Sequence, residues 1–417
     1  MKKVLLFCIL LPAVVSAQWV TGYYPTWAVN DMQASEMNWA GLTDVIHFGI
    51  DPDSASPHWM VDSQDSLDLL HGGGWVWPNN SWNIPESLVT VGHANGVSII
   101  LSIGGIYGSG KSAMDYITED SVRTQTFVDR VIDFAETWGY DGIEVDWEPP
   151  ANLTQNMLLL RILKRAMDLS ASVNKLIIAG ANDYEDYWDA SWVNANVDQF
   201  NIMLYDMNWP GSGYCQACSL DVTGYNAPIY RTDPEVYPVL ADYNYNYNGD
   251  TPARGDTPSS GPRKFIESGY NSSVLGLGIP FYGYVYNGKT APNQLRGASY
   301  PQYISYPLIL DAIDAGLVVN RDTTAKTVWC GGTVSDDISW YLSASDDGYI
   351  TYDDSTSIVE KIDFLNSLNM GGVMIYELWQ GWFDAGTSPR DPLLRAVVAA
   401  MESEPSSPIP YRVLKRQ

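Results

Sequence analysis

Eight short apolar runs recur along the 417-residue chain, at 18–24, 43–50, 97–104, 142–148, 176–181, 200–206, 274–280 and 372–378. They are dense in Val, Ile, Leu, Met and Tyr rather than strictly alternating, the pattern of strands buried on both faces. Helical periodicity fills several gaps between them, at 121–138, 154–173, 357–368 and 392–401. Eight buried strands with helices between them point to an α/β fold, a (β/α)8 or TIM barrel. The barrel is expected to take residues 18–283 and 350–403. Residues 284–349 separate the seventh and eighth runs and are too many for a connection, so a small α+β insertion is expected there. Residues 211–261, rich in Tyr, Asn, Gly and Pro, read as a long loop over one mouth of the barrel. Residues 404–417 are Pro-rich, then basic, and read as a flexible tail.

Residues 1–17 have the layout of an export signal: Lys2 and Lys3, an apolar run over 4–15, and Val15-Ser16-Ala17 for cleavage. The run falls short of the roughly 20 residues of a spanning helix. A secreted chain, extracellular or periplasmic, is therefore expected, with no membrane association once the signal is removed. The chain carries 23 Lys and Arg against 49 Asp and Glu, a net charge of −26. That argues against nucleic acid or an anionic surface as partner, because both need a basic face.

Beyond Cys8 in the leader, only Cys215, Cys218 and Cys330 remain, so disulfides do not hold the fold. Cys215 and Cys218 form a CxxC that fits a local disulfide or free thiols better than a metal. Zinc needs four ligands, and no second CxxC or His pair stands nearby. Aromatic usage is unusual, with 16 Trp and 27 Tyr against 9 Phe. Flat rings with a polar tip suit surfaces that stack on sugars as well as cores. Trp59, Trp75, Trp77 and Trp82 fit either role.

The strongest chemical signal is Asp141-Gly142-Ile143-Glu144-Val145-Asp146-Trp147-Glu148. Residues two apart in a strand share a face, so Glu144, Asp146 and Glu148 line one side. Neighbouring like charges on an inward face repel, and burial disfavours their ionisation. That is poor for folding and suited to acid–base catalysis, which needs one acid protonated near neutral pH. Glu148 comes last, at the end of the strand where barrel active sites are built. Taken alone, the pattern also fits an exposed acidic edge strand.

The segment resembles glycoside hydrolase family 18, the chitinase family, whose signature DGxDxDxE reads DGIEVDWE here. Other landmarks follow in the family's order. Ser102-Ile103-Gly104-Gly105 resembles its SxGG, and Met203-Leu204-Tyr205-Asp206 its MxYD. Gly22 to Trp27 is similar to the first-strand GYxxxW, and Pro280-Phe281-Tyr282-Gly283 to its PFYG. The resemblance spans essentially the whole chain after the leader. It implies cleavage of β-1,4 bonds next to N-acetylglucosamine with retention, the substrate's own acetamide acting as nucleophile. Carried over by position, Glu148 is the acid and then the base, Asp146 holds the acetamide, Tyr205 orients its oxygen, and Glu144 relays charge to Asp146. Tyr23, Trp27, Met203, Asp206, Tyr282 and Tyr376 would line the substrate, with Asp141, Ser102, Gly104 and Gly105 structural. The implied ligand is chitin or an N-acetylglucosamine oligosaccharide. No metal or cofactor is implied, and a monomer is expected.

The chain departs from the family at four places. Glu144 replaces Asp, Tyr376 replaces the floor Trp of the eighth strand, Ile106 stands where Trp is frequent, and Pro149 where Tyr is. The cleavage chemistry is therefore better supported than a preference for long chitin chains. Two other readings are an endo-β-N-acetylglucosaminidase acting on other N-acetylglucosamine glycans and a non-catalytic chitin-binding lectin of the same fold.

Overall fold

A computed structural model describes residues 18–50, 52, 84–105, 108–181, 185–208, 222–233, 235–237, 261–297, 299–383 and 390–403. The leader, the four loop tryptophans, Ile106, Cys215, Cys218 and the tail lie outside the described residues. In chain order, β1 (Trp19–Pro25) and β2 (Asp44–Ile50) lead to α1 (Ile84–Ala94), β3 (Ser98–Gly105), α2 (Gly108–Thr118) and α3 (Ser121–Trp138). Then come β4 (Gly142–Trp147), α4 (Leu153–Met167), β5 (Lys175–Ala181), α5 (Ala190–Asn196), β6 (Gln199–Met203), α6 (Pro262–Glu267) and β7 (Leu275–Pro280). The inserted elements are β8 (Tyr282–Asn287), β9 (Gln302–Ser305), α7 (Tyr306–Asp314), β10 (Val318–Asp322), β11 (Thr327–Thr333) and β12 (Asp347–Tyr352). The chain returns through α8 (Ser355–Ser367), β13 (Gly372–Tyr376) and α9 (Pro392–Glu402).

Strands β1 to β7 and β13 close into an eight-stranded parallel barrel, sealed where β1 pairs with β13. These are the eight apolar runs of the sequence. The sixth and eighth stop short of the expected ends, β6 at Met203 and β13 at Tyr376. The residues after them leave the sheet to line the barrel mouth, and Asp206 turns the chain with φ 60°. Helix α4 is shorter than its pattern and ends at Met167. Beyond it the Ser170 hydroxyl accepts from the Ser172 and Val173 amides, a local bond that competes with helix. The insertion is a five-stranded sheet in the order β10-β11-β12-β8-β9, with Phe281 alone between β7 and β8.

Helix α3 shows how the outer layer is specified. Its buried residues Thr124, Phe127, Val128, Val131, Ile132 and Ala135 recur at helical spacing. Asp120 caps its start by accepting from Val122 and Arg123, and Gly139 ends it in the left-handed region at φ 80°. Inside the barrel, the N-terminal end is closed by a polar network. Asp44 accepts from Lys175 (2.5 Å) and Gln199 (2.9 Å), and Gln199 accepts from Thr21 (2.7 Å). Ile46, Ile100, Ile177 and Met374 belong to the buried apolar cluster that continues to Tyr23, Tyr205 and Tyr282 at the opposite mouth.

Where the insertion rejoins the barrel, Lys361 of α8 pairs with Asp353 and both side chains are fully buried. Removing one partner leaves a buried charge, which costs about 3–5 kcal/mol. Lys361→Met is expected to lose stability of that order in urea unfolding. The double replacement Asp353→Leu with Lys361→Met is expected to recover most of it.

Candidate active site

The C-terminal ends of the barrel strands bring the sequence-expected residues together. β1 carries Tyr23, with Trp27 just after it. β3 carries Ser102, Gly104 and Gly105, and β4 carries Glu144 and Asp146, followed by Glu148. β6 carries Met203, with Tyr205 and Asp206 beyond its end, and Tyr282 opens β8 as Tyr376 closes β13. Asp141 lies instead at the foot of β4. There its carboxylate accepts from the Ile99 amide at 2.7 Å and meets His93 Nε2 at 2.9 Å.

The two glycines of β3 set how closely β4 can lie. Ser102 pairs with Glu144 and Gly104 with Asp146. A Cβ on Gly104 would sit 2.0 Å from the Asp146 carbonyl oxygen, and the backbone there has φ 155°. No other residue fits that approach. Next to it, the Gly105 carbonyl accepts the Glu148 amide at 3.2 Å, fixing the backbone where the strand ends. The opposite face of β4 is held by Trp147, whose Nε1 donates to Asp115 of α2 at 3.2 Å, with Lys111 paired to the same carboxylate at 2.8 Å.

Glu144 is fully buried. Tyr23 Oη donates to its Oε1 at 2.8 Å, and Ser102 hydrogen-bonds it from the neighbouring strand. Burial, and then the Asp146 carboxyl beside it, push Glu144 well above the usual carboxylate range, against the pull of these two hydroxyls. The extra methylene of Glu is accommodated beside Ser102 and Tyr23, which both hydrogen-bond the carboxyl. Glu148 is buried at the mouth.

Asp206 stands across the barrel. Its amide donates to Asn226 Oδ1 at 2.9 Å, and its Oδ1 accepts from both Tyr282 and Tyr284, the latter at 2.5 Å. Burial pushes Asp206 up, and the two tyrosine hydroxyls pull it back. Tyr205 stacks on Tyr376 with centroids 5.9 Å apart, and its hydroxyl lies 3.8 Å from Met374 Sδ. Tyr376 also meets Tyr23, Phe48 and Tyr282 edge-on. Trp27 continues this aromatic surface outward against Phe48 and is 38% exposed. Glu377, next to Tyr376, is buried and pushed up to about 8 by that burial. Sequence reasoning missed Tyr284, Phe48, Asn226 and Glu377. Tyr284 had a signal, since it lies two residues after Tyr282 and so on the same strand face.

The barrel, the acids at its mouth and the inserted sheet place the chain in a family. Its residues 20–381 match the model of the glycosyl hydrolases family 18. The chain belongs to that family, as a glycoside hydrolase of the chitinase type. It is similar to chitinase A1 of Niallia circulans, with 23% identity across 86% of this chain and 56% of that one, so it spans little more than half of that relative. It is 24% identical to a chitinase-like effector of Moniliophthora perniciosa, over 90% of this chain and 85% of that one. Among solved structures it resembles a family 18 chitinase of Cycas revoluta in complex with (GlcNAc)3. The TM-score is 0.66 at 18% identity, over 92% of this chain and 99% of the other.

A carboxyl whose value is raised by folding stabilises the protein most below the ordinary carboxylate value of roughly 4.3. That contribution is lost as pH rises toward the folded value. The stability of the wild type relative to Glu144→Gln is therefore expected to fall with increasing pH from about 4 upward. Urea midpoints measured over a pH series check the sign.

Proposed function

We propose that the protein hydrolyses β-1,4 linkages of N-acetylglucosamine polymers or oligosaccharides with retention, using the substrate acetamide as nucleophile. The observation that carries the reading is the meeting of Glu148, Asp146 and buried Glu144 with Tyr205 and Asp206 at one barrel mouth. The family assignment and the sugar bound by the cycad enzyme support it.

Glu148 starts protonated and gives its proton to the glycosidic oxygen as the bond to C1 breaks. The acetamide oxygen attacks C1 from the opposite side and forms a cyclic oxazolinium ion. Asp146 accepts the acetamide N–H and stabilises the positive charge. Tyr205 holds the acetamide oxygen against C1, which makes the attack effectively intramolecular. Glu148, now a carboxylate, takes a proton from the water that adds to C1, and the bond from C1 to the acetamide oxygen breaks. Two inversions leave the product as the β-anomer. A neutral Glu144 beneath Asp146 supports a negative charge on Asp146, because only one of the two neighbours then carries charge. Asp206, Met203, Tyr282, Tyr23, Tyr376 and Trp27 line the sugar. The leader-like start supports export to the compartment where such polymers occur.

A time course with chitotetraose, with products followed by NMR early enough to see the anomer, tests this. Wild type is expected to release the β-anomer first, and Glu148→Gln to lose roughly 10²–10⁴ in rate. Unchanged turnover in Glu148→Gln would overturn the assignment of the acid. A folded wild type that binds the tetramer without cleaving it would select the lectin reading. Release of intact glycan from a glycoprotein, with the tetramer untouched, would select an endo-β-N-acetylglucosaminidase.

A further inference from the structure

A buried histidine stands behind the aromatic wall of the barrel mouth, and no step of the cleavage uses it. His47 lies on β2, where alternation turns Ile46 and Phe48 to the barrel interior and His47 to the outer layer. It is buried, and both ring nitrogens are engaged. Nδ1 meets the Tyr140 hydroxyl at 2.6 Å, and Nε2 meets Thr26 Oγ1 at 3.2 Å. Thr26 Oγ1 also donates to the Phe48 carbonyl at 3.3 Å. These contacts assign the protons. A hydroxyl has one proton to give, so the Thr26 oxygen accepts from Nε2–H while it donates to Phe48. Nδ1 is then the acceptor for the Tyr140 hydroxyl, and among the described residues no other acceptor meets that hydroxyl. The hydrogen bonds therefore run one way, from Tyr140 through His47 and Thr26 to Phe48. The outer end is fixed: Tyr140 is fully buried, stacks on Phe134 with centroids 6.2 Å apart, and its amide donates to the Ala135 carbonyl at 2.9 Å. The inner end falls between two aromatic residues of the mouth. Thr26 precedes Trp27, Phe48 follows His47, and the two rings meet edge-on at 5.7 Å. Burial holds His47 down at about 4, and Tyr140, the titratable group in contact with it, is raised by burial. The imidazole is therefore neutral above that pH and keeps this direction of donation.

We propose that His47 is a positioning residue for oligosaccharide binding, which fixes the Trp27–Phe48 pair from behind the sheet through the Thr26 hydroxyl. This rests on the reading above that Trp27 lines the sugar. Pro25 and Phe48 are the last paired residues of β1 and β2, so Trp27 lies past the ladder. It sits in a short 3-10 turn, Thr26–Asn30, whose start has no side-chain cap. A ring carried by such a turn follows any shift of its backbone, and contact with a stacked partner weakens with small displacements. Thr26 joins the two strand ends at that point, and His47 joins Thr26 to the rigid Tyr140. His47 thus acts on substrate affinity and leaves bond cleavage to the acids of β4. A glutamine side chain supplies an N–H donor in place of Nε2–H, whereas leucine supplies none.

The test is steady-state cleavage of chitotetraose by wild type, Thr26→Val, His47→Leu and His47→Gln, with thermal unfolding of each to establish that it folds. KM is expected to rise about three- to tenfold in Thr26→Val and His47→Leu, with kcat held within about twofold. His47→Gln is expected to bring KM back to within about twofold of wild type. Thr26→Val keeps the side-chain shape and carries the comparison alone if His47→Leu does not fold. An unchanged KM in Thr26→Val overturns the proposal. Equal losses in His47→Leu and His47→Gln also overturn it, because packing rather than the donated bond would then be at work. The proton assignment is read without substrate, by nitrogen NMR of the four histidine side chains, with the His47 signal identified by its loss in His47→Gln. The Nε2–H tautomer is expected, and the Nδ1–H tautomer overturns the direction of donation and the proposal with it. If the wild type binds the tetramer without cleaving it, calorimetric affinity replaces KM with the same expected ratios. The hydrolase reading then falls and the positioning role stands. A folded wild type that binds no tetramer removes both.

Discussion

A carboxyl group at the centre of a closed barrel is the constraint around which this molecule is arranged. Glu144 has no exposure, and Asp146 stands two residues further along the same strand face. Two ionised carboxylates cannot share that position at low cost. The barrel answers with hydroxyls from β1 and β3, Tyr23 and Ser102, while burial and the Asp146 carboxyl push the deeper acid well above the usual carboxylate range. The replacement of Asp by Glu at 144 fits within this scheme, because small Ser102 lies opposite it in the register.

The rest of the fold positions that strand. Gly104 and Gly105 let β3 approach β4 where any side chain would strike its backbone, and the Gly105 carbonyl holds the Glu148 amide. Trp147 and Asp115 lock the outer face of β4 to α2. The inserted sheet acts from the other side, since β8 starts at Tyr282 and carries the two tyrosines that clasp Asp206. Its buried junction with the barrel, Lys361 with Asp353, anchors the base of that sheet. Subdomain and site are therefore one mechanical unit rather than a catalytic barrel with an ornament.

Much of the site was legible in the residues. Glu144, Asp146 and Glu148 share a strand face by simple alternation, and the Gly104-Gly105 pair marks a close backbone approach. The tyrosines were less legible. Phe48 reaches the site from the end of β2, whose direction depends on barrel closure, and Tyr284 from β8 of the inserted sheet, whose placement depends on how that sheet meets the barrel. Asn226, 20 residues further on and outside any strand or helix, accepts the Asp206 amide. Helices α1 and α2 were missed because Gly, Ser and β-branched residues weaken their periodicity, and tertiary packing overrides that weak propensity. Helix α4 was overextended because its apolar spacing continues past the point where Ser170 turns the chain.

The sequence by itself determined the eight buried strands, the insertion between the seventh and eighth, and the acids of the fourth, because side-chain period and apolar density are local properties. Only the tertiary structure decided that Glu144 is an acid pushed up by burial, how Asp206 is held, and that the aromatic row passes from Tyr376 through Tyr282 to exposed Tyr303. Protonation depends on burial and on neighbours from other strands, and ring contacts depend on how two sheets meet. Neither quantity is written in the spacing of residues along one strand.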